Sequence, residues 1–558
     1  MLGLVAATER RTWWWVFGLV FVAAAAWALA TPPMTGPDES ANAIRAAAVV
    51  RGQITGRHIP DLGGNELWSN VMVEVDVPAS FAEAGYVGAC YLGEPRERIE
   101  GAVVVPRGAD CPELTSDTRS VDALTYEYRG QPFFYALVGL PTLVSVDDAG
   151  AVAMRLVGAL PTAALLASAV LSVRRLPTVA RALTGLGAAV TVSPELVYLA
   201  GMQNAGSVEI AAALAAWTSG LAMVTLPEAP DGRLVNRTAV ALVVLILTRG
   251  LSPAFAALLL LVLVALARPG RVRSLLARPE VRAWMTFGVG ATAVSGVWLW
   301  VIHEQFPLYG FSPIGFADAL ARVPWWVQGM VAVFGSTDVV PPVALHWAWG
   351  AAAALVVGLS AVAGSRRHLL VALGLIVAGI GLLISGEGFG VPQTGFWWQG
   401  RYVLPLVAGA LVVAPTGVRE PSPAAPAPGR LRWAAAAVLA VFVAGHAWSF
   451  AYALRHYTVG HDGPWSPSEF LLDPIWSPPL PPVLLLPVFV AAVAGLAAVL
   501  WRVTVAPAVT GAVDGGADDR GDGAEADRDG GDAGTGATGR PGGGTGNRST
   551  RSSTVAVT

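Results

Sequence analysis

The chain has 558 residues, of which 54% are hydrophobic and 13% are charged, and its formal net charge is −3. Apolar runs long enough to cross a bilayer recur along most of its length, which is rare in soluble domains. We therefore expect an all-α polytopic membrane protein whose first partner is the lipid bilayer. A nucleic-acid partner is excluded, because no basic surface is available to neutralise phosphates.

The first apolar stretch, residues 13–30, follows two arginines. It has two interpretations. It is either a signal peptide, since its last three residues resemble a cleavage site, or an uncleaved first transmembrane helix. We favour the uncleaved helix, assigned to residues 1–32, because many further apolar spans follow.

Two adjacent carboxylates, Asp38 and Glu39, come directly after this helix. One interpretation is structural: Pro37 stands near the first position of a helix, and the two acidic side chains complement the helix dipole. The other is functional: an acidic pair close to the membrane surface forms a catalytic or metal-binding site that faces an extracytoplasmic cavity. The local sequence favours neither interpretation.

Residues 33–130 are the largest polar insertion, and short β-like runs such as residues 101–105 predict a small α/β domain outside the cytoplasm. The only two cysteines of the chain, Cys90 and Cys111, fall within it. We expect them to form a disulfide, because an extracytoplasmic compartment permits oxidation. The aromatic segment that follows, residues 131–137, predicts a re-entrant or interfacial helix.

Residues 131–505 are expected to form a multi-helix transmembrane domain, and the Gly- and Asp-rich residues 506–558 a disordered cytoplasmic tail. Arginines occupy alternate connections between the apolar runs. The positive-inside rule therefore predicts an inner (plasma) membrane protein with both termini in the cytoplasm. With the first helix, about twelve transmembrane helices are predicted, the others over residues 151–173, 179–199, 206–226, 237–250, 252–268, 283–302, 342–363, 368–385, 401–415, 433–453 and 483–503.

Ionisable residues inside or beside these spans are costly and are therefore functional candidates. Glu209 and Arg249 are placed in this way, on the same side of the membrane as Asp38. Arg401 opens a predicted helix, where its charge opposes the dipole and calls for an anion, either a lipid phosphate or Glu387. Most other polar residues at span ends are ordinary solvated positions.

Several short motifs occur in an order that resembles the polytopic GT-C glycosyltransferases. A first span is followed by Pro37-Asp38-Glu39 with Arg45, then by Gln-Pro-Phe-Phe-Tyr at 131–135 and Met-Arg-Leu-Val-Gly-Ala-Leu at 154–160. Three further motifs look more closely like a bacterial family of predicted membrane proteins of unknown function, itself similar to GT-C enzymes. These are Ser193-Pro194-Glu195, Asn-Ala-Gly-Ser-Val-Glu-Ile at 204–210 and Gln-Gly-Arg-Tyr-Val-Leu-Pro at 399–405.

The resemblance implies a reaction centre at an acidic residue of the first outer loop and a sugar donor carried on polyprenyl phosphate. Carried over to this chain, Asp38 is the catalytic carboxylate and Glu39 is its neighbour or the ligand of a divalent cation, Mg²⁺ or Mn²⁺. Arg249 and Arg401 are the predicted phosphate ligands. The other residues predicted to bind substrate are Arg45, Asn204, Glu209 and Tyr402.

The expected function is a GT-C-like glycosyltransferase that moves a sugar from polyprenyl phosphate to an extracytoplasmic cell-envelope acceptor, a glycan or glycolipid. Two alternatives stay open. A transporter or flippase of a lipid-linked substrate would require ionisable residues deep in several spans and repeat symmetry. A catalytically silent membrane scaffold is the other, since family members commonly carry His where this chain has Asn42 and Gln131. An ATP-driven pump is disfavoured, because no phosphate-binding loop occurs.

Overall fold

The computed structural model describes residues 2–59, 72–85, 87, 113–302, 311–394, 397–419, 425–461 and 463–507. All of them belong to one compact unit, Met1–Ala512. The predicted tail lies outside the described residues from position 508 onward. The α-helices are α1 (Leu2–Ala30), α2 (Glu39–Val49), α3 (Ala79–Ala82), α4 (Pro132–Val138), α5 (Asp148–Val173), α6 (Thr178–Thr191), α7 (Pro194–Ala200), α8 (Ala205–Thr225), α9 (Gly232–Ile246), α10 (Ser252–Leu266), α11 (Arg271–Leu276), α12 (Pro279–Val301), α13 (Pro313–Gly329), α14 (Val343–Ala363), α15 (Arg366–Thr394), α16 (Leu404–Thr416), α17 (Pro428–Val459) and α18 (Pro482–Leu500).

Eight of the described helices are long and apolar enough to cross a membrane, namely α1, α5, α8, α12, α14, α15, α17 and α18. Helices α6 and α7, bent by 61° at a short break, make a ninth if they form one span. The remaining predicted spans are the helices α9, α10 and α16, of 15, 15 and 13 residues. These are shorter than the roughly 20 residues that cross a bilayer. The mostly helical polytopic fold is confirmed, and the count of twelve stays a prediction.

Helix α8 lies at the centre of the bundle, where it packs on α5, α9 and α16. In its most apolar stretch 89% of the residues are buried. A helix that is apolar on every side is typical of such a central position. Its many alanines allow neighbouring helices to approach closely, and Trp217 fills the remaining space and donates to the carbonyl oxygen of Pro405 at 3.0 Å.

The insertion after α1 contains a three-stranded antiparallel sheet in the order β1 (Arg57–His58), β2 (Val73–Pro78), β3 (Ser120–Thr125). Strand β2 alternates as expected for a half-buried strand, with its valines inside, and both β2 and β3 pack on α2. This sheet confirms the small α/β element after the first helix. The predicted β-run at 101–105 and the predicted disulfide between Cys90 and Cys111 lie outside the described residues.

The aromatic segment predicted to be a re-entrant or interfacial helix is the short helix α4, which begins at Pro132. Its Phe134, Tyr135 and Val138 are buried, whereas Phe133 is 44% exposed. Helix α4 packs on α2 and α5. The contact with α2 is close, because a Cβ at Gly139 would overlap the carbonyl oxygen of Ala46.

A fully buried ion pair between Glu39 and Arg155 fixes the turn between α1 and α2 against α5. The guanidinium binds both carboxylate oxygens at 2.6 Å, and each side chain is 0% exposed. Its other donors bond the carbonyl oxygens of Ala28, Thr31 and Pro32 at 2.6–2.8 Å. All five N–H groups of the arginine therefore have acceptors, which is the condition under which a buried charge is tolerated.

We expect the E39Q variant to lose about 3–5 kcal/mol of stability, because it leaves the Arg155 charge buried without a counter-charge. The apparent melting temperature in detergent and the monodisperse fraction after size exclusion measure this loss. R57Q is the matched control. Arg57 pairs with Glu74 and Asp76 on the exposed face of the sheet, where ion pairs contribute little. Equal melting temperatures for the two variants would contradict the structural role of the buried pair.

Candidate functional site

Asp38 occupies the N-cap position of α2, but its side chain bonds no backbone N–H of the helix. Its backbone is left-handed, with φ of 58°. The carboxylate instead accepts from the Tyr126 hydroxyl at 3.0 Å through Oδ1 and from Arg401 Nη2 at 3.3 Å through Oδ2. The side chain is 29% exposed. The structural interpretation, that Asp38 starts a helix, therefore accounts for its position in the backbone. It does not account for the contacts of its carboxylate.

Two asparagines hold the backbone around Asp38. Asn42 Nδ2 donates to the carbonyl oxygen of Asp38 at 2.8 Å, and Asn204 Nδ2 donates to that of Pro37 at 3.2 Å. Asn204 is also the N-cap of α8, where its Oδ1 accepts from the N–H of Gly206 at 2.9 Å. The same side chain thus starts the central helix and positions the acidic turn.

Arg401 lies on a 3₁₀ turn, Gly400–Val403, that precedes α16. Its guanidinium is 5% exposed and lies between Asp38 and the buried carboxylate of Glu195, whose Oε1 is 3.8 Å from Nη1. The turn is held tightly, since a Cβ at Gly400 would overlap the carbonyl oxygen of Trp326. The carboxylates beside Arg401 are therefore Asp38 and Glu195. Glu387, one of the two anions predicted for it, instead accepts from the backbone N–H of Trp398 at 3.0 Å, and the other, a lipid phosphate, stays a prediction.

Arg249 is the more accessible of the two arginines, with 34% of its side chain exposed. It lies in the short connection between α9 and α10, where Nη1 is 3.4 Å from Glu209 Oε2. Ser252 donates to the other oxygen of Glu209 at 2.6 Å. The ring of Tyr402 lies beside both guanidinium groups, 4.8 Å from Arg249 and 5.5 Å from Arg401, within the range of a cation–π interaction.

Glu39 and Arg45, both predicted from sequence as site residues, have no access to this surface. The carboxylate of Glu39 is occupied by Arg155 and by the N–H of Gly36 at 2.9 Å. Arg45 is fully buried. Its guanidinium lies 5.8 Å from the ring centroid of Tyr135 and 5.5 Å from that of Trp298. Burial lowers the pKa of Arg45 to about 10. Both residues are therefore buried neighbours of the site that cannot contact a ligand at its surface.

Sequence analysis assigned no role in the site to three neighbours of this cluster, of which it named only Gln131, as a position where family members carry His. Tyr126 binds Asp38 and packs edge-on against Trp397 at 5.6 Å. Burial and the charge of Asp38 raise the pKa of its hydroxyl, which keeps it protonated and able to donate. Glu127 follows it, in a polar loop where an acidic residue carries no burial signal. Gln131 is the third: its Nε2 lies 3.0 Å from the carbonyl oxygens of Ile246 and Arg249.

A divalent cation finds no support at this site. The part of the chain that the structure describes contains no group of three or more His, Cys, Asp or Glu side chains that could hold a metal ion. The carboxylate of Asp38 is engaged by a phenol and a guanidinium, which are donors and not metal ligands. We therefore derive no chemical step through Mg²⁺ or Mn²⁺.

The opposite end of the bundle carries a separate charged cluster. Glu9, on α1, is surrounded by Arg175 at 3.0 Å and by Arg233 and Arg237 at 3.5 Å. These arginines belong to the connections predicted to be cytoplasmic. Since α1 runs from Glu9 to the turn that contains Asp38, the two clusters lie at opposite ends of the helices.

The fold and the cluster around Asp38 define a polytopic membrane protein with a candidate site at one end of its helices. Residues 21–410 match the family described as predicted membrane protein (DUF2142), and the chain belongs to that family. The family predicted from the motifs is thereby confirmed. No curated protein matches the chain.

Two solved structures are similar to the chain, both of ArnT from Cupriavidus metallidurans. The apo structure is 14% identical, with a TM-score of 0.34, over 70% of this chain and 68% of that one. The structure bound to undecaprenyl phosphate is 15% identical, with a TM-score of 0.35, over 70% and 69% of the two chains.

We expect the G400A variant to be destabilised by about 1–3 kcal/mol, because the added methyl group meets backbone that cannot move aside cheaply. Differential scanning fluorimetry in detergent measures the change. Gly374 on α15 is the matched control, since a Cβ there meets nothing within 4 Å and alanine favours a helix interior. A G400A protein as stable as G374A would refute the tight placement of Arg401.

Proposed function

We propose that the chain is a membrane glycosyltransferase that transfers a sugar from a polyprenyl-phosphate donor to an extracytoplasmic cell-envelope acceptor, a glycan or glycolipid. The observation that carries the proposal is the orientation of Asp38. Its carboxylate turns away from its own helix toward Tyr126 and Arg401, and it is partly exposed beside a second, accessible arginine, Arg249.

Asp38 is suited to the role of general base. Each of its oxygens accepts one hydrogen bond in the described structure, and a carboxylate offers about four lone-pair positions. The acceptor hydroxyl attacks the anomeric carbon, its proton passes to Asp38, and the bond between that carbon and the phosphate oxygen breaks. The lipid phosphate leaves with the electron pair, and the configuration at the anomeric carbon is inverted.

Arg249 and Arg401 have different parts in the proposal. Arg401 is buried and already engaged by Asp38 and Glu195, so it orients the base. Arg249 has a side chain that is 34% exposed and one carboxylate partner, Glu209, which leaves donors for the charge that develops on the departing phosphate. Both guanidinium groups contact the same ring, that of Tyr402.

The donor class and the side of the membrane come from the sequence. The order of motifs resembles GT-C enzymes, for which polyprenyl-phosphate sugars are the usual donors. The arginine-rich end of the bundle, with Glu9 at its centre, is assigned to the cytoplasm by the positive-inside rule. The site at the other end then faces outward, where cell-envelope acceptors are found.

A transporter or flippase is the second candidate, favoured by two features of the spans. Helices α6 and α7 are broken at a 61° bend, and broken helices occur at the substrate sites of transporters. His446, in the middle of α17, is fully buried. The glycosyltransferase is preferred because the accessible carboxylate and the accessible arginine lie at a helix end and not within this break.

We expect the D38N variant to lose transfer by about 10²–10⁴-fold while it still folds, because the amide cannot accept the proton. The assay combines purified protein with a panel of radiolabelled undecaprenyl-phosphate monosaccharides and membranes from a strain that lacks the gene. D122N, on the exposed face of β3, is the matched control. Full transfer by D38N would remove Asp38 from the base role, and translocation of the lipid without transfer would favour the flippase.

We expect the R249Q variant to bind undecaprenyl phosphate about 10–100-fold more weakly, because a charge-assisted hydrogen bond to the phosphate is lost. R249K retains the charge but not the planar pair of donors, so its affinity should fall less. Thermal shift or tryptophan quenching titrated with undecaprenyl phosphate gives the affinities, with R57Q as the control. Unchanged affinity in R249Q would assign the phosphate to another residue.

A further inference from the structure

The hydroxyl of Tyr135 lies between two oxygen atoms. It is 2.9 Å from Asn42 Oδ1 and 3.1 Å from Glu127 Oε2. A phenol has one proton to donate, and neither an amide oxygen nor an ionised carboxylate can donate in return. Two short oxygen–oxygen contacts around one hydroxyl therefore require a second proton.

The orientation of the Asn42 amide is set by its other contact. Its nitrogen faces the carbonyl oxygen of Asp38 at 2.8 Å, and a carbonyl only accepts. Reversing the amide would bring two oxygens together at that distance, so Oδ1 faces Tyr135. The amide oxygen cannot hold a proton at ordinary pH, and the second proton belongs to Glu127.

We propose that Glu127 is the neutral second carboxyl of the site: it donates its proton to Tyr135 and so positions the backbone of Asp38. The chain of donors runs from Glu127 to the Tyr135 hydroxyl, from Tyr135 to Asn42, and from Asn42 to the carbonyl of Asp38. Glu127 is a positioning residue in this scheme. The proposal rests on the proposed function only in giving Asp38 the role of base.

The surroundings of Glu127 agree with a retained proton. Burial, followed by the negative charge of Asp38, raises its pKa. The groups that oppose this are Arg249, the Tyr135 hydroxyl and Arg129, and the buried Arg45 also faces Glu127. Two of these arginines have another partner: Arg249 pairs with Glu209, and Arg129 lies over the ring of Tyr128 at 5.6 Å. Because the pKa is raised, the proton is held to a higher pH than in an ordinary carboxyl group and is lost as the pH rises through the raised value.

The proton has a consequence for substrate charge. Asp38 and Arg249 are the two partly exposed charged side chains of the site, at 29% and 34%, and with Glu127 neutral their charges cancel. An ionised Glu127 would make this group negative and would repel an anionic lipid phosphate. A neutral second carboxyl thus keeps a phosphate-binding site from rejecting its ligand.

Infrared spectroscopy of the full-length protein in lipid nanodiscs tests the proton directly, without any substrate. We expect a carbonyl band of a protonated carboxylic acid at neutral pH that disappears in E127Q, persists in E74Q, and is lost in the wild type as the pH is raised. E74Q changes an exposed carboxylate on the sheet and is the matched control. If E127Q does not fold, Y135F replaces it, because loss of the acceptor must shift the same band. A wild-type spectrum without the band, or a band that E127Q and Y135F both leave unchanged, would overturn the proposal.

The pH profile of transfer separates this role from simple packing. Glu127 must keep its proton, so transfer by the wild type should fall at alkaline pH. E127Q carries a donor that does not titrate in this range. It should lose the alkaline limb and transfer about tenfold faster than E127A.

An alkaline limb that persists in E127Q would refute the assignment to Glu127. A protein that transfers no sugar from any donor would refute the proposed function, while the infrared band would still decide whether Glu127 holds the proton.

Discussion

The buried ion pair of Glu39 with Arg155 is the interaction on which the acidic turn depends. The two residues are 116 positions apart, and they join the turn after α1 to the middle of the bundle. Because Glu39 is drawn inward, the preceding residue, Asp38, takes a left-handed backbone and presents its carboxylate sideways. That conformation costs up to about 1–2 kcal/mol. The two adjacent acidic residues thus have different roles: Glu39 anchors the turn, and Asp38 lies at a partly exposed surface.

The charges around Asp38 form a graded series of accessibility. Arg401 is nearly buried and is shared by two carboxylates, Tyr402 separates it from Arg249, and Arg249 is a third exposed. Burial strengthens electrostatic interactions, so the buried Arg401 holds the Asp38 carboxylate in place. The more exposed Arg249 can instead bind a ligand. This division supports the proposal of one arginine for the base and the other for a phosphate.

Sequence analysis predicted the helical membrane fold because hydropathy is read directly from composition. It also singled out Asp38, Glu209, Arg249 and Arg401, which lie together in the structure, because charges beside apolar spans are conspicuous. It could not separate Glu39 from Asp38, since only a distant partner distinguishes them. Arg155 stands inside the predicted span 151–173, and this intramembrane charge was the signal that could have found the pair. Tyr126 and Glu127 gave no such signal, because polar residues are unremarkable in a polar loop.

Gln131 gives the site a mechanical property. Its amide nitrogen also lies 2.9 Å from Ser295 Oγ, so its two N–H groups are shared among this hydroxyl and the carbonyl oxygens of Ile246 and Arg249. One side chain at the end of the insertion after α1 therefore contacts both the Arg249 connection and α12. A displacement of that insertion would carry Arg249 with it, so the spacing between carboxylate and arginine is preserved as a unit. In the proposed reaction, a lipid-linked donor would therefore have to enter between helices other than those that Gln131 ties together.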